Sequence, residues 1–83
     1  MKQLSKEFIG RGEVGGFKFT QIRATNKGFL YEVDADGIIC YEVFKRVINK
    51  QYNCESYPGS NSFGLWAWHY MDLTKATNKL NSL

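Results

Sequence analysis

Phe29-Leu30-Tyr31-Glu32-Val33-Asp34-Ala35-Asp36-Gly37-Ile38-Ile39-Cys40 is the stretch that decides the fold. Up to residue 35 it alternates. Phe29, Tyr31, Val33 and Ala35 share one side, and Leu30, Glu32 and Asp34 share the other, as the two faces of a strand require. Asp36-Gly37 follows with two adjacent residues that tolerate positive φ, the requirement of a two-residue hairpin turn. The β-branched Ile38 and Ile39 then begin a return strand. An antiparallel hairpin is therefore the expected centre of the molecule.

The pattern extends in both directions. Asn26-Lys27-Gly28 and Gly15-Gly16 are further turn signals, and the run 17–25 between them places Phe17 and Phe19 on one face. An earlier strand over 6–14 would pair with that run across Gly15-Gly16. Beyond the hairpin, 41–48 is ambiguous, because Val43, Phe44, Val47 and Ile48 also fit one face of a helix. The β-branched content and the preceding turn assign its first half to strand, and its second half is open to a helical reading. Residues 49–62, with Asn49, Asn53, Pro58, Gly59, Ser60 and Asn61, read as a loop. A further strand over 63–71 puts Trp66, Trp68 and Tyr70 on one face and Leu65, Ala67 and His69 on the other. Asp72 or Thr74 then caps a short helix whose Leu73, Ala76, Leu80 and Leu83 form one apolar stripe. The expected fold is α+β: a four- or five-stranded antiparallel meander with the C-terminal helix packed on one face.

Eighty-three residues suit a single domain spanning 1–83. A chain of this size has little interior, yet six Phe, five Tyr and two Trp supply large apolar area at small entropic cost. The polar start, Met1-Lys2-Gln3-Leu4-Ser5-Lys6-Glu7, lacks a signal segment, and no apolar run approaches a membrane span. A cytoplasmic location with no membrane partner is the expectation, and Cys40 and Cys54 then read as reduced thiols. A net charge of +3 leans towards anionic partners and stays within the range of ordinary soluble domains.

Sites with chemistry are sparse. His69 is the only histidine, and no spacing brings a nucleophile and an orienting group to it. Cys40, Cys54 and His69 lack the paired spacing that seeds a metal site, so neither metal nor cofactor is expected. Glu32, Asp34 and Asp36 read as a solvated strand face running into a turn. Gly10-Arg11-Gly12 is glycine-dense without the Lys-Ser/Thr of a phosphate loop. What remains is aromatic and basic. Trp66, Trp68 and Tyr70 could stack on bases, with Arg23, Lys45 and Arg46, beside Lys18 and Lys27, on phosphates. The competing reading buries the Trp face under the C-terminal helix and leaves some of Phe17, Phe19, Tyr31, Tyr41, Tyr52 and Tyr57 on the opposite, open face.

Gly12-Glu13-Val14 before Gly16-Phe17, the block Tyr41-Glu42-Val43-Phe44, and Phe63-Gly64 before Trp66-Ala67-Trp68 carry a resemblance. Together they resemble small proteins encoded by bacterial phages and mobile elements. The resemblance implies a setting and no activity. The expected role is a non-catalytic binding module acting on a protein partner or on a second copy, through an aromatic sheet face or an edge strand. Nucleic-acid binding on the open face is the alternative, and the small net charge ranks it second.

Overall fold

The computed structural model describes residues 2–10 and 15–83. In chain order its elements are β1 (Glu7–Ile9), β2 (Lys18–Ala24), β3 (Gly28–Ala35), β4 (Ile38–Lys45), β5 (Ile48–Asn49), β6 (Cys54–Glu55), β7 (Ala67–Tyr70) and α1 (Leu73–Ser82). Five strands form one antiparallel sheet in the order β1-β2-β3-β4-β7, and β5 pairs with β6 as a separate ribbon. The α+β meander with a C-terminal helix is the architecture the sequence predicts.

The turns explain the meander. Asp36 (φ 55°) and Gly37 (φ 90°) occupy the left-handed region between the paired Ala35 and Ile38. The Asp34 carboxylate accepts the Gly37 N–H at 2.8 Å and fixes that turn. Between β2 and β3 the Thr25 hydroxyl accepts the N–H groups of Lys27 and Gly28, each at 3.1 Å. Gly28 is required by space: a Cβ there would lie 2.5 Å from the Phe44 carbonyl oxygen and 2.6 Å from Leu83 Cδ1. A bulge between Gln21 and Arg23 leaves Ile22 without a cross-strand partner. The 6–14 strand appears as β1, and pairing continues with Gly10 N–H donating to the Phe17 carbonyl at 2.8 Å. The rest of that expected strand, 11–14, lies outside the described residues.

Two apolar layers flank the sheet. On one face, Ala76 and Leu80 of α1 pack on Leu30 and Val43, with Tyr41, Tyr70 and Leu83 around them. Asp72 is the cap, accepting from Thr74 N at 2.7 Å and Lys75 N at 3.3 Å. Leu73 stays outside the expected stripe, 45% exposed. The other face carries Phe19, Phe29, Tyr31, Val33, Cys40, Phe44 and Ala67, all buried. It is covered by half-buried side chains: Leu4 and Phe8 near the N-terminus, Phe17, and Tyr57, Phe63 and Trp66 of the long connection 46–66.

That second layer corrects the expectation of an open aromatic face. A strap of chain does the covering a second helix would do, because exposing Phe19, Tyr31 and Phe44 would forfeit about 2 kcal/mol each. Tyr57 closes the layer, its ring edge-on to Phe8, Phe19, Tyr31 and Phe44 at 4.9–5.4 Å between centroids. The strap contains β5, β6 and a 3-10 turn at Ser60–Ser62, where the sequence suggested only loop. Strand β4 runs to Lys45 and no helix occurs over 44–50.

The strand expected over 63–71 shortens to β7. Gly64 (φ 89°) donates to the Ala67 carbonyl at 2.8 Å, and the N–H groups of Leu65 and Trp66 both reach the Ser62 carbonyl. Phe63, Leu65 and Trp66 thus belong to a turn, and the alternation that would align Trp66 with Trp68 breaks there. Trp66 packs with the second layer, 6.3 Å from Phe44, whereas Trp68 pairs with Val43 on the helix side.

Candidate functional site

Strand register puts four of the six residues singled out from sequence, Arg23, Lys45, Trp68 and Tyr70, on the helix-side face, while Trp66 and Arg46 stand outside the strand pairs. Arg23 is exposed on β2 opposite Leu30, and Lys45 is exposed at the far end of β4. The Arg46 Nε donates to Glu55 at 2.7 Å, tying the end of β4 to β6. Trp66 is in the strap layer. Trp68 and Tyr70 are half-buried beside α1, with Lys79 Nζ 4.0 Å above the Trp68 ring. An aromatic stacking platform flanked by these cations is not assembled.

Among the described residues the helix packs chiefly on β3, β4 and β7, and on the β1–β2 half of that face Glu7, Ile9 and Lys18 are exposed. Directly paired residues share a face. Register therefore defines two rows across the open part: Glu7-Thr20-Glu32-Tyr41-Tyr70 and Ile9-Lys18-Asp34-Ile39. Glu7, Glu32 and Asp34 stand on this face against Lys18 and Arg23, so it carries no excess of positive charge to attract a phosphate backbone. The acidic pattern read as a solvated strand face is thus the edge of this open area.

A different feature stands at the outer edge. Strand β7 pairs with β4 only from Tyr41 to Phe44 and ends at Tyr70, where the chain turns into α1. The β4 residues Ile38, Ile39 and Cys40 consequently have β3 on one side and, among the described residues, no strand on the other. Antiparallel pairing directs the N–H and C=O of alternate residues to the same side. The two groups of Ile39 therefore face outward, where the strand would have continued. Ile38 and Met71 are each 63% exposed, and Ile39 37%. The exposed side chains of Ile38 and Ile39 flank this unpaired edge on the two faces of the sheet.

The interior holds polar groups that sequence reasoning missed. Glu42 pairs across the sheet with Tyr31 and His69, and the Tyr57 hydroxyl donates to its carboxylate. Burial pushes the Glu42 carboxyl above its ordinary range, with the Tyr57 hydrogen bond and nearby His69 acting in the opposite direction. Burial, reinforced by Glu42, pushes the Tyr57 phenol and the Cys40 thiol upward. A protonated, buried thiol is a poor nucleophile, so Cys40 is not activated by its neighbours. The available signal was a lone charge inside the apolar run Tyr41-Glu42-Val43-Phe44, on the inward-facing side.

Cys54, like Cys40, is in no disulfide. Among the described residues, no three His, Cys, Asp or Glu side chains are grouped to hold a metal ion, and no helix is long and apolar enough to cross a membrane. The fold and its edge define an α+β sheet domain with an incompletely covered rim. The chain matches no protein-family profile, no curated protein and no solved structure.

Proposed function

We propose that this protein is a non-catalytic binding module that docks on another protein, or on a second copy of itself, through the open outer edge of β4. The observation that supports this reading is the unpaired edge at Ile39, with the exposed Ile38 next to it. An added strand would satisfy the outward N–H and C=O of Ile39 and cover these side chains, the combination used in strand addition. Natural sheets usually protect such an edge with charge, proline or a bulge, and none stands at Ile38, Ile39 or Cys40. The setting proposed is the bacterial cytoplasm, in keeping with the resemblance to phage and mobile-element proteins.

Sedimentation velocity at micromolar concentration tests the self-association arm, and comparative pull-down with wild-type and Ile39→Lys bait tests the partner arm. The expected result is an assembly or a bound protein present with wild type and lost with Ile39→Lys, while both chains show the same thermal unfolding. A monomer whose bound proteins are unchanged by Ile39→Lys refutes the reading.

Nucleic-acid binding is retained as the second reading on one observation, the exposed cations Lys6, Lys27 and Lys45 beside Arg46. It requires salt-sensitive affinity that falls on Lys45→Glu.

A further inference from the structure

Where β2 turns into β3, the N-terminal segment, that turn and the strap enclose a cleft of about 480 Å³. Its apolar lining is limited to Leu4, Ala24 and the edge of Phe29, whose side chain is almost wholly buried. Its walls are polar: the amides of Gln3, Gln21 and Asn26, and two cations, Lys6 and Arg46. Its one carboxylate is Glu55, with a side chain only 6% exposed.

Glu55 is already committed. One oxygen accepts the Leu4 N–H at 2.9 Å, and the other accepts Arg46 Nε at 2.7 Å. The pair holds the guanidinium in place beside the cleft, and its own charges compensate each other. Lys6 is different, because among the described residues no carboxylate pairs with it. The cleft thus carries an uncompensated positive charge beside this apolar lining, with amide groups between. Gln21 is also positioned, since its Nε2 donates to Tyr31 Oη at 3.1 Å and Tyr31 in turn donates to the Ser5 carbonyl at 2.6 Å.

We infer that this cleft binds a small organic anion, a molecule with a phosphate or carboxylate head and a compact apolar body. The head lies against Lys6 with Arg46 alongside. The body lies against Leu4 and Ala24 at the edge of Phe29, and the amides fix its orientation. The volume lies within the range of small-molecule sites, about 300–1,000 Å³, and an inorganic ion alone would leave the apolar lining wet. The inference is separate from the proposed edge docking: Ile39 lies near the other end of β4, so Ile39→Lys leaves the cleft unchanged.

Amide NMR titration of the full chain with phenyl phosphate, benzoate, benzyl alcohol and inorganic phosphate tests it. The expected result is saturable shifts confined to Lys6, Gln21, Ala24, Thr25, Asn26 and Arg46, with Kd of about 1 mM for phenyl phosphate or benzoate. The stronger of those two names the head group. Lys6→Glu weakens that binding about tenfold or more, whereas Lys75→Glu on α1 leaves it unchanged. Shifts that stay linear with concentration, that spread over the surface, that match those of benzyl alcohol, or that survive Lys6→Glu overturn the inference. Binding of inorganic phosphate as tight as phenyl phosphate overturns the role of the apolar lining.

Discussion

Replacing Tyr57 with phenylalanine removes one oxygen from the centre of the strap layer and leaves its four ring contacts in place. The oxygen is the donor to Glu42. A hydrogen bond to a charged group contributes about 1.5–3 kcal/mol. Glu42 faces the exposed His69, so water partly replaces the lost donor, and about 2 kcal/mol is the working figure at neutral pH. A domain of this size has a total stability of about 4–12 kcal/mol, so Tm falls by about 8–16 °C. The pH dependence follows from the direction of the Glu42 shift. Its folded-state pKa is raised above the unfolded value, so ionisation subtracts stability. That loss is absent below the unfolded pKa and develops as pH rises through the folded one. Removing the Tyr57 donor raises the folded pKa further and enlarges it. The cost of Tyr57→Phe is therefore larger near pH 7 than in acid and shrinks towards about 1 kcal/mol near pH 4, where only a neutral hydrogen bond is lost. Urea unfolding at the two pH values, followed by tryptophan fluorescence, measures the difference. A cost equal at both, or larger in acid, refutes the argument that a buried carboxylate is being solvated by the phenol.

Two further predictions concern the frame. Gly28→Ala drives a methyl group into the Phe44 carbonyl and the Leu83 side chain; the backbone oxygen cannot yield, so a loss of about 1–3 kcal/mol is expected, and an unchanged melting curve would contradict it. Asp72→Ala removes the acceptor of two N–H groups at the start of α1. It should cost about 0.5–2 kcal/mol in a far-UV circular-dichroism melt, with Asp72→Asn recovering most of the loss.

The sheet was legible because its signals are local. Asp36-Gly37, the Asn26-Lys27-Gly28 turn and the alternation from Phe29 to Ala35 each specify geometry within a few residues, and all three appear as read. The Ala76 and Leu80 spacing likewise anticipates the helix face. The second layer was not legible, since Tyr57 and Trp66 reach the sheet from an irregular connection that has no period to read. Trp66 was misassigned for a specific reason: Gly64 allows a left-handed residue inside what otherwise reads as an apolar strand. The candidate edge escaped notice because it depends on where β7 stops relative to β4, a register that composition does not encode. Of the six residues chosen for aromatic or basic character, Trp66 departs to the opposite layer and Arg46 ties to Glu55, since neither property fixes a face.

The long detour between β4 and β7 also bears on how the chain reaches this structure. Strands β2, β3 and β4 follow one another through tight turns, so their pairing costs little chain entropy. Strand β7 must find β4 across residues 46–66, a loop about ten times longer than the Asp36-Gly37 turn, which adds roughly 2 kcal/mol to closure. Pairing of the central three strands therefore carries the smaller closure cost, and docking of the strap, β7 and α1 carries the larger one. Until the strap, β7 and α1 dock, the aromatic face of Phe19, Tyr31 and Phe44 and the whole outer side of β4 are uncovered. A chain in which only β2, β3 and β4 had paired would present a longer version of the same edge that the finished protein leaves open at Ile39. Crowding during synthesis is the moment at which this small sheet is most exposed to pairing with the wrong chain.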